Sequence, residues 1–323
     1  MDGKWVLISQ NPHAGAKSGR PAVEQLAELL RREGARVEVM TDIDCLADEA
    51  RKRQEAQQLH AVVAAGGDGT VALVANRTPL GTPIAVLPLG TENLLAKYLS
   101  LSADPEIACR TICGGTTIRL DAGKANERLF LLMASCGFDA EVVRRLHQDR
   151  KGHIHHLSYV KPILDSIRSY PYPEVRVCWD RVTTSPNGAL PEQHNVSEDP
   201  WTSITARWVF VVNVPRYAGG LRIAPDARGT DGLLDVCTFK EGSLWNGLRY
   251  LSGVLLGQHQ SWSDCVTVRT RRLRLESVEP VPYQQDGDPG GFLPLNIEVL
   301  PERLTLWVPR HVASAELPSG GRE

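Results

Sequence analysis

Gly66, Gly67, Asp68, Gly69 and Thr70 form the stretch most able to do chemistry. An apolar run over 59–65 precedes it with the length of a buried parallel strand, and Val71 onward can open a helix. Three glycines and one carboxylate therefore sit at a strand-to-helix turn. Glycine tolerates positive φ and lets a ligand approach the main chain closely. The N–H groups of a helix N-terminus then face the occupant, and phosphate is the usual one. An aspartate in that cradle repels phosphate unless a cation lies between them. The stretch points to nucleotide phosphate with a divalent metal; a tight turn that needs only glycine is the alternative. The second half holds two more acidic turns. Asp231 before Gly232 could hold a hard cation, with backbone carbonyls as further ligands, or close a hairpin. Asp286 and Asp288 flank Gly287 and could supply a base and a metal ligand, or again only a turn. His147, His153, His155 and His156 lack the second ligand pair that zinc requires and read as a solvated segment. Arg269, Arg271, Arg272 and Arg274 read either as an exposed strand or as a dock for anionic lipid headgroups.

The elements that position these groups change character along the chain. Residues 5–9 read as a first strand, and a turn containing Asn11, Pro12, Gly15 and Lys17 follows. Pro21 suits a first helical position, and Val23, Leu26, Ala27 and Leu30 repeat at helical spacing. A strand over 36–40, a charged helix over 46–57, the strand before Gly66 and a strand over 83–87 come next. The last ends in Pro88, Leu89, Gly90, Thr91, Glu92 and Asn93, a second glycine turn opening a helix. This alternation predicts a parallel sheet covered by helices on both faces, with ligands at the C-terminal ends of the strands. The loops 11–17, 66–70 and 89–93 occupy that position.

Near Asp121 the pattern turns to short β-like runs at 129–135, 175–179, 208–214, 234–239, 266–270, 273–277, 295–300 and 304–308. Such spacing predicts a sandwich or barrel, with helical patches near 141–147 and 244–256. The polar stretch at about 180–203 predicts a surface insertion, and 316–323 a frayed tail. The expected domains are 1–121, α/β, onto which the C-terminal segment can pack back, and 122–315, β-rich.

A chain of 323 residues with net charge -2 allows two domains and gives no global pull toward nucleic acid. Seven cysteines without C-x-x-C spacing predict reduced thiols and a cytoplasmic setting. The first ten residues show no signal-peptide pattern, and no apolar run has the length of a membrane helix.

Taken in order, the motifs resemble the diacylglycerol kinase catalytic-domain family, in particular its bacterial soluble lipid kinases, with sphingosine and ceramide kinases as relatives. The pieces are Asn11, Pro12 and Gly15; Gly66 to Thr70; Pro88 to Asn93; Gly137, Phe138, Asp139 and Ala140; Tyr217, Ala218, Gly219 and Gly220 with Ala224 and Pro225; Asp231 to Val236; and Asp286, Gly287 and Asp288. The resemblance implies a phosphofructokinase-like, three-layer α/β nucleotide-binding domain followed by a β-sandwich domain that binds lipid. It implies ATP contacts from Asn11, Pro12, Gly15, Lys17, Thr41, Gly66, Gly67, Asp68, Gly69, Thr70, Val71 and Thr91. It implies Mg²⁺ at the Asp231 side chain and the main-chain oxygens of Arg228 and Leu233. The family's proton acceptor lies in an Asp-Gly-Glu motif, whose acid falls here on Asp288, with Asp286 as rival.

Two departures stand out. Leu94 occupies a position where the family usually has aspartate, which removes one carboxylate from the acidic network near the metal. Asp288 is one methylene shorter than the family's glutamate. The expected activity is ATP-dependent phosphorylation of diacylglycerol or a related lipid alcohol, with Asp68 near the metal and Asp288 or Asp286 taking the proton. Alternatives are a kinase of the same fold acting on a non-glyceride or soluble alcohol, and a catalytically silent nucleotide-binding regulator. Expected partners are the lipid substrate and a membrane surface met transiently from the cytoplasm, with a homodimer allowed and no nucleic acid.

Overall fold

The computed structural model describes residues 3–10, 19–148, 169–180, 201–216 and 221–314. The chain divides into two compact units, Met1–Asp121 with Glu302–Ser319, and Ala122–Pro301.

In the first unit, β1 (Trp5–Gln10), β2 (Arg36–Met40), β3 (Leu59–Gly66) and β4 (Pro83–Pro88) form a parallel sheet in the order β2-β1-β3-β4. The helices α1 (Arg20–Arg32), α2 (Ile43–Glu55), α3 (Asp68–Arg77), α4 (Leu94–Tyr98) and α5 (Pro105–Gly114) accompany it. Successive strand residues point to opposite faces. Val6, Ile8, Ala61 and Val63 therefore share one core with Val23, Leu26 and Leu30 of α1 and Ala108 and Ile112 of α5. Leu7, Val62 and Ala64 point the other way and are fully buried as well, on a sheet that α2 and α3 also contact. This is the three-layer α/β arrangement expected from the alternation. The α2 helix starts earlier than the charge pattern predicted, because the Asp42 carboxylate accepts from the amides of Asp44 and Cys45, both at 2.9 Å.

The second unit receives β5 (Thr116–Ala125), which runs into it from the first, and continues with β6 (Arg128–Phe130), β7 (Met133–Cys136) and α6 (Phe138–Gln148). Then come β8 (Val175–Asp180), β9 (Trp201–Ala206), β10 (Trp208–Val212), β11 (Leu234–Phe239) and α7 (Leu244–Leu255). The last strands are β12 (Cys265–Thr270), β13 (Arg272–Glu276), β14 (Pro282–Gln285), β15 (Asp288–Phe292) and β16 (Leu295–Val308), with α8 (Arg310–Ser314) closing the described chain. One antiparallel sheet has the order β12-β11-β10-β7-β14-β15; in a second layer β16, β13, β8 and β9 pair antiparallel. Val209, Val211 and Val236 from the first meet Val175, Val177, Leu273, Leu275 and Ile297 from the second in one core. The unit is a β-sandwich.

Three expectations needed revision. The run 129–135 is two strands, not one, because the amides of Leu131, Leu132 and Met133 are taken by the Asp286 carboxylate. The runs 295–300 and 304–308 are one strand, β16, with Glu302 at φ 52 and its amide held by Asp121 Oδ1 at 2.8 Å. Strand β9 begins at Trp201, inside the stretch assigned to the insertion, since Trp201 to Ala206 pair along the whole of β8. Residues 181–200 and 316–323 lie outside the described residues.

Candidate functional site

The glycine turn after β3 forms as the sequence predicted, with Gly67 as N-cap of α3. Gly66 and Gly67 are needed for close approach rather than for positive φ. A Cβ on Gly90 would lie 2.4 Å from Gly67 Cα, so the two glycine turns touch main chain to main chain. Leu89 N donates to Gly66 O at 2.9 Å, and the Asn93 side chain bridges the Gly90 amide and carbonyl at 3.0 and 2.8 Å. Gly69 differs: nothing lies within 4 Å of where its Cβ would be, which leaves room on the first turn of α3. Gly90→Ala is therefore expected to destabilise the protein by about 1–3 kcal/mol, whereas Gly69→Ala in an open helical position leaves stability level or slightly raised. Urea denaturation of the two variants separates these outcomes.

Asp68 does not project freely into this space. Its Oδ2 accepts from Leu94 N at 2.9 Å and its Oδ1 from Leu95 N at 3.0 Å, so it holds the first turn of α4. Burial pushes its carboxyl up, and the two amides with Lys97 nearby only partly offset that. Leu94 is buried, and its side chain offers no oxygen where the family pattern has one. Thr70 and Val71 are buried in α3, while Thr41 and Thr91 are exposed in the loops after β2 and β4. Asn11, Pro12, Gly15 and Lys17 lie outside the described residues.

In the second unit, Asp286 and Gly287 form the two-residue turn between β14 and β15, both with positive φ (50 and 86). Asp286 is consumed by structure. Its Oδ2 accepts from Leu131 N at 2.7 Å, and its Oδ1 from Leu132 N and Met133 N at 2.8 and 3.0 Å. Asp288 is different. Arg128 Nη2 lies 2.6 Å from its Oδ2 and His147 Nε2 lies 3.6 Å from its Oδ1. Burial alone would raise the Asp288 carboxyl, but hydrogen bonds from His147 and Arg128, and their charge, outweigh it and hold it below the usual carboxylate range. The turn carrying it is fixed from behind. Gln284 Oε1 accepts from Gly287 N at 2.8 Å, and Gln284 Nε2 donates to Ser135 Oγ at 2.8 Å. Ser135 in turn donates to Asp139 Oδ2 at 2.6 Å, which ties the Asp139 motif to the acidic turn.

Arg128 and His147 are partners of Asp288 that the sequence pattern does not mark. The sequence groups His147 with a solvated segment, yet it sits in the last turn of α6 with Nδ1 3.0 Å from Val143 O. Its helical spacing from buried Ala140 and Val143 was the available signal. His153, His155 and His156 lie outside the described residues.

The third acidic turn holds Asp231, whose Oδ1 accepts from Leu233 N at 3.0 Å and whose Oδ2 pairs with Arg269. Asp235 also faces that guanidinium, its Oδ1 lying 3.5 Å from Arg269 Nε. Asp235 Oδ2 is buried without a hydrogen-bond partner. Burial, and then the charge of Asp226, push its carboxyl up to about 7. Arg228 is exposed beside this corner and contributes to lowering Arg269, after burial. Among the described residues no set of three or more His, Cys, Asp or Glu side chains is arranged to hold a metal, so a cation at Asp231 would depend on main-chain oxygens. Of the four arginines in the basic run, three face carboxylates: Arg269 as above, Arg272 on Asp180 and Arg274 on Glu276. Such pairing leaves little uncompensated charge for an anionic surface. A separate cavity of about 500 Å³, lined by Lys124, Asn126, Trp201, Arg272 and Glu298 among others, includes none of the predicted site residues.

The described chain is thus an α/β unit with abutting glycine turns, followed by a β-sandwich carrying acidic turns. The family model "Diacylglycerol kinase catalytic domain" matches residues 4–125, and "YegS C-terminal NAD kinase beta sandwich-like domain" matches 133–308. The chain belongs to the diacylglycerol kinase catalytic-domain family, a family of kinases. It is 26% identical over 300 residues to the diacylglycerol kinase of Bacillus subtilis, spanning 90% of this chain and 92% of that protein. The fold is shared with the crystal structure of a diacylglycerol kinase from Bacillus anthracis, with TM-score 0.65 and 22% identity over 96% of this chain and 98% of that one. It is shared more distantly with an NAD kinase from Archaeoglobus fulgidus in complex with ATP, with TM-score 0.51 and 15% identity over 96% and 95% of the two chains. No described helix is long and apolar enough to cross a membrane.

Proposed function

We propose that this protein transfers the γ-phosphate of ATP to the hydroxyl of diacylglycerol or a closely related lipid alcohol. The observation that carries the reading is Asp288. It is a half-exposed carboxylate kept ionised by Arg128 and His147 on a braced turn, in a chain of this family. An ionised carboxylate is what a proton acceptor for an alcohol must be. Asp286 is disfavoured for that role because three amides already occupy its oxygens. The γ-phosphorus gains a bond to the lipid oxygen and loses its bond to the leaving ADP oxygen, while the hydroxyl proton passes to Asp288.

The glycine turns contribute main-chain N–H groups for phosphate, with Gly69 as the open approach. Thr41 and Thr91, with Asn11, Pro12, Gly15 and Lys17 from outside the described residues, complete the proposed ATP contacts. Asp68 acts as a positioning residue, joining α3 to α4 so that both glycine turns keep their shape. The corner at Asp231 offers a hard cation oxygen donors, since a buried Asp235 oxygen lacks a hydrogen-bond partner; the Arg269 guanidinium, which now faces both carboxylates, would have to yield its place on Asp231. Asp231 with the carbonyls of Arg228 and Leu233 would hold Mg²⁺, which when bound supplies positive charge to that acidic loop.

A phosphate-transfer assay with labelled ATP, Mg²⁺ and a panel of lipid and soluble alcohols tests the reading. Transfer to diacylglycerol above the other acceptors is expected. Selective transfer to a soluble alcohol would replace the lipid. ATP binding with no transfer to any acceptor would instead favour a silent regulator, the reading that Leu94 keeps open.

A further inference from the structure

The α7 helix has two unlike sides. At ~100° per residue, Trp245, Leu248, Leu251 and Leu255 fall within an arc about 120° wide, and Gly247, Tyr250, Gly253 and Val254 occupy the opposite side. The second side is anchored. Tyr250 is buried, donates its hydroxyl to Asp264 at 2.7 Å and lies 6.2 Å from the Trp262 ring. A Cβ on Gly253 would lie 2.3 Å from Trp262, so the helix closes directly onto that indole. Arg249 pairs with Asp264 and stacks over Tyr250 and Trp262 at 4.9 and 4.7 Å.

The first side is open. Trp245 is 78% exposed, Leu248 43%, Leu251 40%, Leu255 66% and the C-capping Leu256 69%. They are five of the ten exposed large hydrophobic side chains among the described residues, so the exposure is concentrated here rather than scattered. The open side also carries no charge. From 242 to 263 the sequence has no aspartate or glutamate, and its one arginine, Arg249, is paired with Asp264.

We infer that the open side of α7 inserts into the surface of a phospholipid bilayer, one with anionic headgroups included, and holds the protein there. The occupant follows from chemistry and charge. A rigidly backed apolar stripe ending in a tryptophan suits the boundary between headgroups and acyl chains. The absence of carboxylates over 22 consecutive residues removes the repulsion that anionic headgroups would otherwise exert, whereas the arginines of β12 and β13 are largely neutralised. The inference rests on the reading above that the acceptor is a lipid resident in a bilayer. Apolar insertion also predicts a salt response unlike that of a basic dock: attachment persists at ~1 M salt, where charges are screened beyond ~3 Å.

The test is flotation of the whole protein with vesicles of phosphatidylcholine, with and without phosphatidylglycerol, at low salt and at ~1 M NaCl. The parent is expected to float with both kinds of vesicle at both salt levels. The double variant Leu248→Ser, Leu255→Ser is expected to lose at least tenfold in partition, with its melting temperature unchanged because both side chains are exposed. A blue shift of fluorescence on adding vesicles is expected for the parent and reduced in Trp245→Phe. A parent that stays with the protein pool, or a double variant that floats equally well, overturns the inference. Light scattering that finds a dimeric parent and a monomeric variant overturns it too, assigning the face to a second copy. Phosphate transfer to a short-chain diacylglycerol dispersed in detergent is measured on the same samples. Transfer without flotation defeats docking and spares the kinase reading, and flotation through α7 without transfer does the reverse.

Discussion

Asp288→Asn lowers kcat for phosphate transfer by about 10²–10⁴-fold, the range expected for loss of a general base, while KM for ATP stays near the parent value. The amide keeps the shape of the carboxylate and cannot take a proton. The fold is expected to tolerate the change. The Arg128–Asp288 pair is partly exposed, with side-chain accessibilities of 42% and 46%, and pairs of that kind contribute only about 0–1 kcal/mol. The pH profile is the more specific readout. Because Arg128 and His147 hold Asp288 below the usual carboxylate range, the acid limb of kcat/KM should lie below the pH at which an ordinary aspartate titrates. Arg128→Met removes one of the groups stabilising the ionised form, so that limb should move to higher pH. An Asp288→Asn enzyme with parental kcat, or an acid limb unmoved in Arg128→Met, would remove Asp288 from the reaction.

Asp286→Ala is expected to cost about 3–5 kcal/mol of stability, and to reduce soluble yield before any kinetic effect can be read. The carboxylate satisfies the amides of Leu131, Leu132 and Met133, three residues that are themselves buried. Removing the acceptor leaves donors with nowhere to go, which is costlier than losing a net hydrogen bond between exposed groups. Alanine also fits poorly at φ 50, where aspartate and asparagine are tolerated. Asp286→Asn should therefore be milder, at about 1–2 kcal/mol, since its oxygen can still accept from part of the set. Guanidinium titration of the two variants against the parent measures the difference. If Asp286→Asn folds normally and yet loses as much kcat as Asp288→Asn, the division of labour between the two acids is wrong.

The local pieces of this protein could be read from its sequence because they rest on short-range physics. Strand β3, the glycine turn and α3 follow one another within about twenty residues, and apolar runs, glycine and helix period are all visible at that distance. The sandwich was legible from the spacing of short apolar runs, and Asp286 with Gly287 from hairpin chemistry. What the acids do was not legible. Asp286 and Asp288 are two residues apart and nearly identical in composition of surroundings along the chain. Their partners are 153 to 160 residues away: amides at 131–133 for one, Arg128 for the other. A pattern of types fixes that a carboxylate is present, but whether its lone pairs are occupied depends on what the folded chain brings to it. The same holds for Asp68, which the amides of Leu94 and Leu95 claim from a separate element, and for α7. Its apolar residues announce a helix by their spacing, yet only the packing of Tyr250 against Trp262 decides which side is covered and leaves Trp245, Leu248 and Leu255 facing outward.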